Sequence, residues 1–461
     1  MSPSTITLEP RRSAYVALLA CSTLGTLSST IISAPINVIA HAIGASPRGI
    51  VFAVSAFTLA MVVFAPISGW MCQRFGSRRV LAGSLLLMVA AQAGAAFSQG
   101  LGFLVVMRAL QGIACSAVPP AIQQVLGRHW AGNRARVMAA WAAAIGVGQA
   151  LGPPLGGLVA DTLGWRWVFI THATLSAVLL VLCLTVVPDV PASYAPLHVS
   201  GMATLLVGIG ALVGAVSWLG QHGEVAVAAG MAAVGVLALA VHSQLGRTSA
   251  GPFVPPGLLT ERRFVASTMA AGTVMGCLGV AIVATPLHLG RDLGLGPGHI
   301  GITMLALALA MTLAAPLSSR VTERFTARRT LRGGLVLLAL GLLALPLAAT
   351  ASGSGSGTIV TFTVAALVLT GAAIGVVQAT SALGLMTSPA AADGVALGLH
   401  NMLRFTGLAV GYSWVAIAYP TGNLSLVYGV PVAAVALTWA MAGPSAPSSE
   451  PSAERVFHDH R

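Results

Sequence analysis

Charge is what this sequence has least of. Only 7% of its 461 residues are charged: 11 are acids, and the 23 basic residues are all arginine, with no lysine. Soluble domains carry about a quarter charged residues, so this composition does not suit a surface facing water. The arginine excess leaves a formal charge of +12, but a nucleic-acid-binding chain would gather such charge into a stripe on a soluble domain. Here the arginines lie between apolar runs, which argues against a nucleic-acid partner. The five cysteines, Cys21, Cys72, Cys115, Cys183 and Cys277, fall in or beside apolar runs without paired spacing. That excludes a disulfide framework or a zinc site. No signal peptide is read either, because the polar tail 1–13 ends in Arg11 and Arg12 and leads into a longer apolar run without a clean cleavage site. Metal-ligand spacing, a nucleotide loop, a catalytic constellation and a long soluble segment are all missing. The expectation is a protein that is not an enzyme and needs no metal or other cofactor.

What is present is apolar sequence. Hydrophobic residues make up 56% of the chain and the mean hydropathy is +0.89, more than a soluble core could bury. The fold class expected is an all-α polytopic membrane protein. Apolar runs place spans near 14–38, 50–70, 80–98, 101–125, 137–160 and 166–187, then 199–219 and 225–243, and finally 264–288, 299–318, 331–350, 358–382, 395–418 and 424–442, fourteen in all. One stretch occurs twice: APISGWMCQRFGSRRVLAG at 65–83 and APLSSRVTERFTARRTLRG at 315–333 agree at nine of nineteen positions without a gap. Each copy joins two apolar runs through a short arginine-rich turn, so a six-helix bundle at 14–187 is expected to be repeated at 264–442. A linker with two additional helices at 188–263 lies between them, with tails at 1–13 and 443–461. With a cytoplasmic N-terminus, 18 arginines fall in cytoplasmic segments and three, Arg48, Arg166 and Arg291, fall outside; Arg108 and Arg404 lie within spans. This bias sets the orientation, with both termini cytoplasmic in a bacterial plasma membrane.

The first copy resembles the loop motif G-x-L-a-D-R-x-G-R-R of the major facilitator superfamily, carried here by Gly69, Arg74, Gly76, Arg78 and Arg79. Gln73 stands where the family has aspartate; in the second copy Glu323 takes that place, followed by Arg324, Arg328 and Arg329, and Thr326 replaces the glycine. MRALQG resembles the family's R-x-x-Q-G at Arg108, Gln111 and Gly112. LSSTIISAP resembles a span-one pattern in which Ser28 replaces a membrane aspartate. Gly148, Gly152, Pro153, Gly156 and Gly157 resemble G-x-x-x-G-P-x-x-G-G, regarded as an antiporter signature of the exporter branch, and GPFVPPGLLTERRF resembles a lead-in of the fourteen-span drug:proton antiporters. The resemblance implies export by alternating access of two bundles about a central site. It also implies that Arg74, Arg78 and Arg79 lock one state by pairing with helix ends across the halves. The lock is expected to be weaker or rebuilt at Gln73, and the glycine motif is expected to form a bendable seam between the halves.

Candidate site residues follow from helical spacing. Ser22, Thr26, Ser29, Ser33 and Asn37 recur every three or four residues and share one face. That face lines a cavity or forms a close helix-packing seam. Arg108, inside a span, costs on the order of 3 kcal/mol to place in lipid, so it faces the bundle interior as a cavity charge or is capped by neighbouring carbonyls; Gln111 lies one turn along. His400 and Arg404 share a face with Gly407 and Gly411. The proton-carrier candidates are His172, His288, His400 and Asp161, each with packing or solvated surface as the alternative. None of the acids is deep in a span. A cavity with Arg108 and Arg404 and no carboxylate favours neutral or anionic amphiphiles over cations. Protons, the lipid bilayer and such a substrate are therefore the expected partners of a monomer.

Overall fold

The computed structural model describes residues 12–249, 251–349 and 356–443. Fifteen α-helices run through the described residues: α1 Arg12–Thr30, α2 Ile36–Ala42, α3 Pro47–Phe75, α4 Ser77–Ala96, α5 Leu101–His129, α6 Arg134–Leu163, α7 Trp165–Val186, α8 Val199–His222, α9 Val225–Thr248, α10 Arg262–Leu287, α11 Pro297–Phe325, α12 Ala327–Ala349, α13 Ser356–Met386, α14 Gly394–Ala418 and α15 Leu424–Met441. The tails, at 1–11 and 444–461, lie outside the described residues.

Twelve of these helices are long and apolar enough to cross a membrane. The fourteen expected runs are all helical, but α1 and α14 are absent from that set of twelve. Both are diluted by polar residues: α1 carries six Ser and Thr between Ser22 and Thr30, and α14 carries His400, Asn401 and Arg404. The first expected span is also interrupted. The chain leaves the helix at 31–35, ahead of Pro35, and resumes as α2. Proline has no N–H to continue the ladder and its ring crowds the preceding turn.

Both copies of the duplicated stretch fold alike. In the first, α3 ends at Phe75 and Gly76 turns the chain into α4 at φ 90°; in the second, Thr326 takes the same part at φ 104°. In each the turn residue's N–H bonds the carbonyl four residues back, Cys72 or Thr322. Positive φ suits glycine and strains a β-branched residue, so the second turn is held by its surroundings. The proline-rich segment after α7 straps the first turn: Ser193 N–H donates to the Gln73 carbonyl at 2.9 Å and the Trp70 indole to the Ala195 carbonyl at 3.2 Å.

Two apolar cores result. One is built from α1 to α7 with part of α8, the C-terminal part of α13 and the N-terminal part of α14; the other joins α10 to α15. They meet where α3 and α5 touch α14 and where α6 touches α11 and α13. Large apolar side chains such as Phe97, Leu158, Ile302 and Leu313 remain exposed, as lipid contact requires. Glycines set the closest crossings. A Cβ on Gly148, Gly152 or Gly156 would fall within 2.3 Å of Thr23, Thr26, Thr30 or Ile31, all in α1 or just after it. The expected seam between halves is thus a seam within the first bundle, where small residues let α6 lie flush on α1. Gly157 faces Ala34, and α6 continues as one helix through Pro153.

Candidate functional site

A small pocket lies where the two cores meet. Ser22, Thr26 and Ser29 of α1 line it, opposite Trp141 and Gln149 of α6 and Arg404 of α14; Met61, Cys115, Met275 and Phe405 complete its apolar part. Its volume is about 40 Å³, enough for a few waters. The two helices too polar to count as spans are thus both pocket-lining helices. Of the two further residues expected on the same face of the first span, Ser33 lies within the break at 31–35 and Asn37 beyond it, and both are exposed. A five-residue turn has rotated them away from the helix that carries Ser22.

Arg404 bridges the halves from inside the pocket. Its Nη1 donates to Asn401 Oδ1 at 3.0 Å, and Asn401 Nδ2 donates to Gln123 Oε1 of α5 at 2.7 Å. The guanidinium also sits 4.8 Å from the Trp141 ring centroid, an arrangement that stabilises a desolvated cation. Arg404 Nε and Gln149 Oε1 are buried without a protein partner. One is a donor and the other an acceptor, and both residues line the pocket.

Arg108 is placed differently from the expected cavity charge. It is 0% exposed and does not line the pocket. Its Nη1 reaches the Ser28 carbonyl at 3.2 Å and Gln111 Oε1 at 2.5 Å, its Nε reaches the Ala53 carbonyl at 3.4 Å, and its guanidinium lies 4.2 Å from the Phe57 ring. Gln111 in turn donates to Ser28 Oγ. Arg108 and Gln111 therefore brace α1, α3 and α5 within one bundle, and carbonyl oxygens replace the carboxylate that Ser28 lacks. The cost of burying the charge is offset by hydrogen bonds and an aromatic face.

The histidine candidates separate by their partners. His172 is fully buried, with Nε2 3.3 Å from the Leu24 carbonyl and Nδ1 3.3 Å from Ser176 Oγ. His400 touches Thr268 Oγ1 at 3.2 Å and lies outside the pocket lining. His288, at the end of α10, pairs with a carboxylate: its Nδ1 is 2.7 Å from Asp292 Oδ2, across a π-helical turn at His288–Asp292. Tyr419 Oη donates to the same oxygen at 3.1 Å. Burial pushes the Tyr419 hydroxyl up to about 12, and the Asp292 carboxylate adds to the shift, so the phenol stays a donor. Asp161 is exposed, and Arg166 lies over the Trp165 ring at 4.4 Å; no ion pair joins the two among the described residues.

At one end of the bundles, α3 closes on α14. A Cβ on Gly69 would fall 2.0 Å from the Gly394 carbonyl oxygen and 2.6 Å from the Gly398 nitrogen. Beside this contact, Gln73 Oε1 accepts from Gly394 N at 2.9 Å. Gly394 opens α14, so Gln73 satisfies an N–H left free at a helix start. The expected lock through arginines is therefore corrected: the cross-half bond is made by the glutamine. Arg74 lies 5.3 Å from the Tyr194 ring, Arg78 donates to the Leu184 carbonyl, and Arg79 is exposed. In the second copy Glu323 and Arg329 are exposed, Arg324 lies over Phe325, and Arg328 Nε donates to the Ala442 carbonyl at 3.0 Å.

Spacing missed Gln149, Trp141 and Gln123. Gln149 sits inside the glycine-rich motif and could have been found as the one amide in that run, GVGQALGPP. Trp141 and Gln123 carry no signal that separates a pocket wall from ordinary packing.

Comparison with known proteins agrees with this arrangement. The Major Facilitator Superfamily profile matches residues 16–412. The chain belongs to the Major Facilitator Superfamily. Among curated relatives, MdtD of Escherichia fergusonii, a protein assigned provisionally to multidrug resistance, is 27% identical over 294 residues, 62% of this chain and 61% of that protein. MdtD of Shigella flexneri serotype 5b is 28% identical over the same shares. The chain thus matches about three-fifths of the length of these relatives. Two solved superfamily-like folds cover nearly the whole chain. The human organic anion transporter MFSD10 is 16% identical with a TM-score of 0.64, covering 95% of this chain and 100% of its own. The proton:xylose symporter XylE is 15% identical with a TM-score of 0.68, covering 94% of each. At such identities the likeness is one of fold.

Proposed function

We propose that this superfamily member is a secondary transporter, not an enzyme, and that it exports small neutral or anionic amphiphiles by alternating access. The observation that carries the reading is the pair of unpartnered polar atoms, Arg404 Nε and Gln149 Oε1, on residues lining a pocket between the two cores whose serine and threonine hydroxyls already bond backbone carbonyls. Buried polar atoms without partners are costly, and a ligand with a matching acceptor and donor would relieve both. No carboxylate lines the pocket, which disfavours a cation. At about 40 Å³ the pocket is far below the 300 Å³ or more of typical ligand sites. Substrate therefore enters only when the halves part.

In this reading the chain crosses the membrane fourteen times, with α1–α2 and α14 added to the twelve apolar helices and α8 and α9 standing between two six-helix halves. The termini are cytoplasmic, and the contact of Gly69 and Gln73 with α14 closes the cytoplasmic end. The multidrug assignment of the MdtD relatives supports efflux. Proton antiport is assigned to the His288–Asp292 pair, because His172 and His400 are sealed among helices and Asp161 is solvated. The absence of an acid from the pocket favours a second reading, proton-independent exchange of the same compounds.

Proteoliposomes holding the purified chain, tested with neutral, anionic and cationic amphiphiles under an imposed pH gradient, decide between them. Antiport predicts uphill movement of anionic or neutral compounds that an uncoupler abolishes. Exchange predicts movement only down the compound's own gradient. Vigorous transport of cations alone would refute both.

A further inference from the structure

The turn at Gly76 leaves a cleft on the outer face of the first bundle. α3 and α4 both pack on α5 and diverge from the turn. Phe64, Met71 and Phe75 form one wall, Gly83 and Leu87 the other, and Ala114 of α5 lies in the floor. The cleft volume is about 400 Å³, ten times that of the central pocket. Its hydroxyls are already used: Ser68 bonds Ser116 at 2.7 Å and Ser84 donates to the Ala114 carbonyl at 2.5 Å. Water would find little to hold it there. At the turn end stands Arg79, exposed, lining the cleft and paired with no described residue.

We propose that this cleft binds an anionic glycerophospholipid, with one acyl chain lying between α3 and α4 and the phosphate on Arg79. Charge complementarity selects the headgroup, and a dry apolar trough selects the chain. The orientation given above places this site in the cytoplasmic leaflet; nothing else in the proposal rests on transport. The wall residues Met71 and Phe75 lie about 200° to 240° around α3 from Gly69, at 100° per residue. A seated lipid therefore braces α3 from behind while its other face meets α14.

The test uses the full chain in nanodiscs and two photoactivatable lipids of identical acyl chains, phosphatidylglycerol and phosphatidylcholine, with labelled peptides mapped by mass spectrometry. Labelling is expected within 64–87 and 113–117. Phosphatidylglycerol should be preferred about five-fold, what one arginine near an anionic surface contributes. Arg79→Gln should bring that ratio toward one while acyl labelling persists. Gly83→Phe, whose Cβ meets nothing within 4 Å, should fill the cleft and remove most of the labelling, with unchanged thermal unfolding as the control for folding. Equal labelling by both lipids in the unaltered chain, or full labelling in Gly83→Phe, overturns the proposal. Since nanodiscs hold no gradient, a chain that selects phosphatidylglycerol but transports nothing refutes the transport reading alone.

Discussion

Replacing Gly69 by alanine should open the end of the bundles where α3 meets α14 without unfolding either bundle. The added Cβ would lie 2.0 Å from the Gly394 carbonyl oxygen, where ordinary contact begins at 3.4 Å, so α3 and α14 must part by about 1.4 Å. Both partners are backbone, and no rotamer change relieves the clash. The Gln73–Gly394 bond, 2.9 Å at present, would then stretch beyond hydrogen-bond range. Overpacking of this kind costs about 1–3 kcal/mol and the lost bond about 1 kcal/mol. A total of about 2–4 kcal/mol shifts the closed-to-open ratio by about 30- to 700-fold, at tenfold per 1.4 kcal/mol. Spin labels at Arg128→Cys and Thr387→Cys report the change, since both positions are exposed and their neighbours Gly127 and Met386 touch across the halves. The five native cysteines are buried and should resist labelling. Electron–electron distances should lengthen in Gly69→Ala and stay unchanged in the control Gly230→Ala, where the added Cβ meets nothing within 4 Å. An unaltered distance distribution in Gly69→Ala would falsify the assignment of this crossing as a gate.

Other perturbations probe separate parts of the account. Arg404→Gln removes the pocket's cation and should weaken binding of anionic amphiphiles by about tenfold or more, the scale of a lost charged hydrogen bond, while neutral compounds lose less; equilibrium binding to the purified chain gives both values. Thr326→Gly relieves a β-branched residue at φ 104° and should raise stability by roughly 1 kcal/mol after the entropy of glycine is subtracted, seen as a higher thermal midpoint. Asp292→Asn leaves His288 without its carboxylate and should abolish uphill transport while counterflow exchange continues. Retention of uncoupler-sensitive accumulation in Asp292→Asn would remove His288–Asp292 from the coupling mechanism.

Sequence reading reached the helices and the repeated turn because their signals are local. Apolar length marks a span, and an arginine cluster beside Gly76 or Thr326 marks its turn. The pocket was legible only in part. Ser22, Thr26 and Ser29 follow from helical periodicity, but the same periodicity carries on through 31–35, where the chain has left the helix and displaces Ser33 and Asn37. For Arg108 and Arg404 the insertion cost is the same, and the cost alone says that each turns away from lipid, not what it meets. Carbonyls of Ser28 and Ala53 happen to surround the first; Trp141 and Asn401 hold the second beside a cavity. Gln73 shows a further limit. Loss of a carboxylate reads as a weakened lock, yet an amide oxygen at the same place still caps α14.

The claim on which everything turns is that the pocket bearing Arg404 and Gln149 is reached from the two sides of the membrane in turn. Gln149→Cys, labelled by a membrane-impermeant maleimide in oriented vesicles, measures this directly. The account predicts outside labelling in the Gly69-containing chain, inside labelling when Gly69→Ala is added, and protection by a transported amphiphile in both. Labelling that is confined to one side in both chains, or that substrate leaves unchanged, would contradict it.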